Sequence, residues 1–132
     1  MGGNVAAKPE KIVLSIPLIE AVKAQRCVLF LGAGASKEAK NAEGKMPPDA
    51  NQLRDILADR FFGKAMPNCD VMGVAEMAIA TTGSGPQVYE EVRKAFNGFA
   101  PQAPHKLIPT FSWRAIATTN YDTIVEDAYR DA

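Results

Sequence analysis

The sequence is poor in the residues from which metal and redox centres are built. Its two cysteines, Cys27 and Cys69, stand far apart, and no CxxC pair exists to read as a zinc or disulfide-exchange motif. No metal is therefore expected, and two isolated thiols suit a reducing compartment, which points to the cytoplasm. Histidine occurs once, at position 105. Neither sign of charge dominates: Lys plus Arg and Asp plus Glu number 15 each. That balance gives no electrostatic footprint for nucleic acid or for an anionic membrane. No apolar run approaches the ~20 residues needed to span a bilayer, and Met1 to Lys11 is too polar for a signal peptide. What remains is an ordinary soluble composition, 132 residues with 47% hydrophobic, enough for one domain with a real core.

Residues 1–12 read as a flexible leader, broken by Gly2, Gly3 and Pro9. The domain proper is expected over 13–132. Ser15 can cap a short helix with Pro17 in its first turn and Leu18, Ile19 and Val22 on its apolar side, ending near Gln25–Arg26. Cys27 to Leu31 is an unbroken apolar run closed by glycine, the pattern of a central parallel strand buried on both faces. Residues 37–51 read as a surface loop. Leu53, Ile56, Leu57, Arg60 and Phe61 follow helical spacing up to Gly63. A second helix is predicted from Asp70 to Ala80 through Met72, Ala75, Met77 and Ile79. Thr82 to Gly85 breaks it, and Pro86 opens a third helix that runs to Asn97–Gly98. One or two helical turns follow between His105 and Phe111. Arg114 to Thr118 is β-compatible, and Ile124, Val125 and Ala128 mark a last helix. Phe61, Phe62, Phe96, Phe99 and Trp113 read as core aromatics, Met66, Met72 and Met77 as gap fillers, and Glu90–Glu91 with Arg93–Lys94 as a solvated helix face.

Two short segments carry chemistry. Gly32-Ala33-Gly34-Ala35-Ser36 leaves a buried strand at once, as a phosphate-binding turn does: Gly32 allows the tight turn and Gly34 has no Cβ to obstruct a pyrophosphate. Lys37 stands where a dinucleotide fingerprint would have its third glycine, so a plain strand-to-loop turn with a serine cap fits these residues equally well. Thr118-Thr119-Asn120-Tyr121-Asp122 sits where the second strand would end, and ligands of parallel sheets gather outside such carboxyl ends. Asn120 and Asp122 would share one crevice if the chain stays extended, with donors and an acceptor on the first and acceptors alone on the second. The other reading is that Thr119, Asn120 or Asp122 caps the final helix.

Together the two segments resemble the sirtuin superfamily: Gly32 to Ser36 its GAG-x-S opening, Thr118 to Asp122 its T-x-N-x-D segment. The TTNYD form is closer to bacterial sirtuin-like domains of anti-phage defence proteins than to protein deacetylases. Gly44 with Pro47-Pro48-Asp49 falls where that family has a Gly–Pro stretch. The resemblance runs from about Ile16 to the C-terminus. It implies a Rossmann-like parallel sheet with helices on both faces, a helical insertion between the two motif strands, and NAD as ligand and substrate. It also implies that Gly32, Ala33, Gly34, Ala35 and Ser36 lie against the pyrophosphate. Thr118, Thr119, Asn120 and Asp122 would line the nicotinamide side, with Asn120 the catalytic residue positioning ribose and water and Asp122 holding the carboxamide. The expected activity is hydrolysis of the nicotinamide–ribose bond; the alternatives are an NAD or ADP-ribose sensor or assembly module, or an NAD-dependent deacylase. The family's catalytic histidine follows the T-x-N-x-D segment, whereas His105 precedes it and reads as structural. The sheet is also short for a nucleotide-binding domain. Both departures lead us to expect a truncated chain, completed by further domains or by homo-oligomerisation.

Overall fold

The computed structural model describes residues 11–132; the first ten positions of the expected leader lie outside the described residues. Among the described residues six helices and two strands follow one another: α1 (Ile16–Lys23), β1 (Val28–Leu31), α2 (Ala50–Phe62), α3 (Val71–Thr82), α4 (Gly85–Ala95), α5 (Ala103–Lys106), β2 (Ala115–Thr118) and α6 (Ile124–Arg130). Single 3₁₀ turns occupy Ala33–Ser36 and Ile108–Thr110. The strands pair in parallel, Val28 beside Ala115 through Leu31 beside Thr118, so this is a mixed α/β chain with a helical insertion between two strands. No helix among the described residues is long and apolar enough to cross a membrane.

Most of the core lies within the insertion. Leu53, Leu57 and Ala58 of α2, Val74 and Ala78 of α3, and Val88 and Val92 of α4 form one buried cluster, with Phe61, Phe62, Met66, Met77 and Phe96 packed around it. Local chemistry sets the helix ends. The Asp49 carboxylate accepts from the Gln52 N–H while the Gln52 side chain accepts from the Asp49 N–H, a reciprocal cap that starts α2. Asp70 caps α3 through the Gly73 N–H at 2.7 Å. Gly63 and Gly83 close α2 and α3 in the left-handed region, where a side chain would be strained.

Several expectations are corrected. The apolar run of β1 is not buried on both faces: Val28 and Phe30 are 56% and 68% exposed, and Leu29 and Leu31 half-buried. The sheet has two strands, and no helix among the described residues buries the Val28 and Phe30 side, so the expected helices on both faces are not seen. Helix α3 buries Val74 and Ala78 and packs Ala75 and Met77 of the expected face against the core, but leaves Met72 and Ile79 exposed; Ile56 of α2 is likewise exposed. The expected break after α3 is present but narrower than Thr82–Gly85: Thr82 is the last residue of α3, its hydroxyl donating to the Ala78 carbonyl at 2.8 Å, Gly83 and Ser84 make the break, and Gly85 already opens α4. Helix α1 buries none of its residues, with Ile16 and Leu18 exposed.

Candidate functional site

Register places the two chemical segments side by side. Leu31 and Thr118 are the last paired residues, and the Thr119 N–H donates to the Leu31 carbonyl at 3.2 Å, one rung beyond them. Parallel strands about 4.8 Å apart that stop at the same level must release their loops from the same edge. Gly32 therefore leaves β1 next to the point where Asn120 leaves β2.

Asn120 joins the two loops. Its Nδ2 donates to the Gly32 carbonyl at 3.0 Å and to the Ser36 hydroxyl at 2.9 Å, and its backbone N–H donates to Thr118 Oγ1 at 3.0 Å. A carbonyl only accepts, so the amide nitrogen faces the glycine turn and Oδ1 is left as the acceptor of the side chain. Ser36, buried, accepts from Asn120, and its own proton is free to donate elsewhere. Asp122 commits one carboxylate oxygen, Oδ1, to the Ile124 N–H at 3.0 Å at the start of α6. The N-cap position of α6 is Thr123, which makes no side-chain cap bond, so none of Thr119, Asn120 and Asp122 is that cap; Asp122 braces the turn before the helix and lines the cleft.

That cleft encloses about 520 Å³, within the ~300–1,000 Å³ typical of small-molecule sites. Ala33, Gly34 and Ser36 form one wall, and Thr119, Asn120 and Asp122 another. The remaining expected residues stand just behind it: Gly32 contributes its carbonyl to Asn120, Thr118 its hydroxyl to the Asn120 N–H, and the Ala35 carbonyl is taken by His105. Gly34 has ordinary negative-side backbone geometry, and a Cβ added to it would meet no atom within 4 Å. Nothing among the described residues therefore requires a glycine there.

The structure adds residues that sequence spacing did not assign. Lys37, in place of the third glycine, brings a cation to the cleft. Met46, Pro47 and Pro48 form an apolar rim, followed by the start of α2 at Asp49, Ala50 and Gln52. The Asn41 side chain shapes the loop before this rim by accepting from the Glu43 and Lys45 N–H groups. Phe96 and Tyr121 also line the cleft, their rings 5.8 Å apart and tilted by 35°. Phe96 had the signature of a core aromatic and is one in part, being half-buried; only tertiary packing reveals its second face.

A second, more open groove of about 350 Å³ lies between α2 and α4. Its charges neutralise one another: Arg60 and Lys94 both pair with Glu91, at 3.4 and 2.9 Å. The hydrogen bond from Lys94 holds the Glu91 carboxyl below its usual range, as that from Arg93 does for Glu90. This is the solvated face expected of these residues. Among the described residues no three His, Cys, Asp or Glu side chains gather as a metal site would need. Compared with models of protein families, with curated proteins and with solved structures, the chain matches none.

Proposed function

We propose that this chain is the nucleotide-binding portion of a sirtuin-like NAD hydrolase, a Rossmann-like half-sheet acting in the cytoplasm, with bacterial defence against phage as its setting. One observation carries the reading: Asn120 and the glycine turn, 88 residues apart in sequence, are hydrogen-bonded to each other at the wall of a single cleft. A bare glycine facing open space, with Lys37 beside it, suits a pyrophosphate approaching the backbone. Asn120 Oδ1 and the second oxygen of Asp122 are acceptors suited to ribose hydroxyls, a carboxamide or a water molecule. Cleaving the nicotinamide–ribose bond transfers the sugar to water; these residues would bind, orient and shield the reacting centre.

A sensor function is the second reading, and His105 favours it. Both ring nitrogens are engaged away from the cleft, one accepting from the Gln102 N–H and the other bonded to the Ala35 carbonyl. The only histidine is thus not placed to act as a base. The expected outcome is that the chain binds NAD and ADP-ribose with little or no release of nicotinamide, and that the exposed Val28 and Phe30 support self-association or docking of further domains. Titration calorimetry with both ligands, with nicotinamide followed in parallel, tests this. Failure to bind either ligand at millimolar concentration would remove the NAD reading.

A further inference from the structure

His105 is 3% exposed and lies outside the cleft lining, yet it is bonded to the turn that forms one wall. Its Nδ1 accepts from the Gln102 N–H at 2.8 Å, so the ring proton sits on Nε2, which donates to the Ala35 carbonyl at 2.7 Å. Two partners at opposite ends of the ring therefore select the same tautomer. The peptide from Ala35 to Ser36 is planar; holding its carbonyl toward His105 fixes the Ser36 N–H on the opposite side and sets where Ser36 begins. Ser36 in turn receives the Asn120 amide at 2.9 Å. The segment that bears His105 is itself tied to the turn's exit, since Lys40 and Ala100 exchange backbone hydrogen bonds in an antiparallel bridge. A continuous path of short hydrogen bonds thus leads from α5 through Ala35 and Ser36 to Asn120.

We propose that His105 is a positioning residue for the cleft: its Nε2–H holds the Ala35–Ser36 peptide in the orientation that lets Ser36 and Asn120 meet, so affinity for an ADP-ribose-type ligand depends on a ring that does not line the cleft. The inference takes its ligand from the NAD reading above, and its test is arranged so that the two fail separately.

Because His105 is the only histidine, every imidazole signal in an ¹⁵N spectrum of the chain belongs to it. The wild-type ring is expected as the Nε2–H tautomer, and ADP-ribose should shift Nε2 and the Asn120 side-chain amide with one shared midpoint. Two variants divide the ring's bonds: His105→Asn keeps an acceptor for Gln102 and loses the reach to Ala35, whereas His105→Gln reaches Ala35 with an amide N–H. His105→Gln should bind within about threefold of wild type and His105→Asn about tenfold or more weakly, as expected for one hydrogen bond kept or lost. An imidazole signal that stays still at saturating ADP-ribose overturns the proposal, and so does a folded His105→Asn that binds as wild type. Should wild type bind no ADP-ribose, the NAD reading falls, and the Asn120 side-chain amide then decides without ligand. Its collapse to a solvent-exposed shift in His105→Asn upholds the positioning role, and an unchanged shift overturns it. Should His105→Asn not fold, the wild-type imidazole titration and His105→Gln decide: loss of tenfold or more in His105→Gln, despite its amide at Ala35, overturns the proposal.

Discussion

Gly34→Ala separates a glycine kept for folding from one kept for a ligand. The added methyl meets no atom within 4 Å, and the backbone of Gly34 lies outside the left-handed region, so the folded chain accepts it without strain. The unfolded chain loses conformational freedom, which stabilises the protein by about 0.4–1 kcal/mol. Over 132 residues, at about 2.1 cal/mol/K per residue, that raises Tm by roughly 1–4 °C. The ligand sees the opposite. A methyl group standing where a pyrophosphate oxygen should approach the turn displaces it from at least one charge-assisted hydrogen bond, worth about 1.5–3 kcal/mol. Affinity for ADP-ribose should fall by about ten- to a hundredfold. Scanning calorimetry and titration calorimetry on the same preparation read both effects. A variant that is more stable and still binds ADP-ribose as wild type refutes the close approach; one that melts several degrees lower refutes the claim that the turn has room.

Asn120→Ala deletes two hydrogen bonds between the loops and should cost about 1–3 kcal/mol in urea unfolding; Asn120→Asp should cost more, because a carboxylate would then face the Gly32 carbonyl. Leu57→Ala, at a fully buried site between α2 and its neighbours, should destabilise by about 2–5 kcal/mol in the same assay. The carboxyls of Glu90 and Glu91 are held below 4.5 by Arg93 and Lys94, so their contribution is present at neutral pH and is lost as pH falls through the lowered values. A Glu90→Gln, Glu91→Gln double variant should accordingly show a small stability deficit at pH 7 that vanishes in acid melts; a deficit that grows in acid would reverse the assigned sign. Phe30→Lys should leave the melting temperature within a degree or two and weaken any concentration-dependent association seen by sedimentation, since Phe30 is exposed.

Local chemistry was legible in the sequence wherever the cause was local. Asp70 and Gly63 bound their helices because a cap and a left-handed glycine act within one turn of chain. Gly32 to Ser36 and Thr118 to Asp122 could be singled out because each needs only a few neighbours to be recognisable. The face of α3 was legible only in part: Ala75 and Met77 pack inward as their spacing suggested, but Val74 and Ala78 take the centre and Met72 turns outward, since small residues let α2, α3 and α4 approach closely while hydrophobicity by itself favoured the methionine. Nor could the unbroken apolar run of β1 reveal that its Val28 and Phe30 side is open, because burial is decided by what covers a face. The sequence by itself determined the two chemical segments and the helical insertion between them. Only the parallel register of β1 and β2, which ends both strands at one level, decided that those segments meet. Only packing brought Phe96 to the cleft and His105 to the turn behind its wall, for such contacts depend on distances that no spacing along the chain encodes.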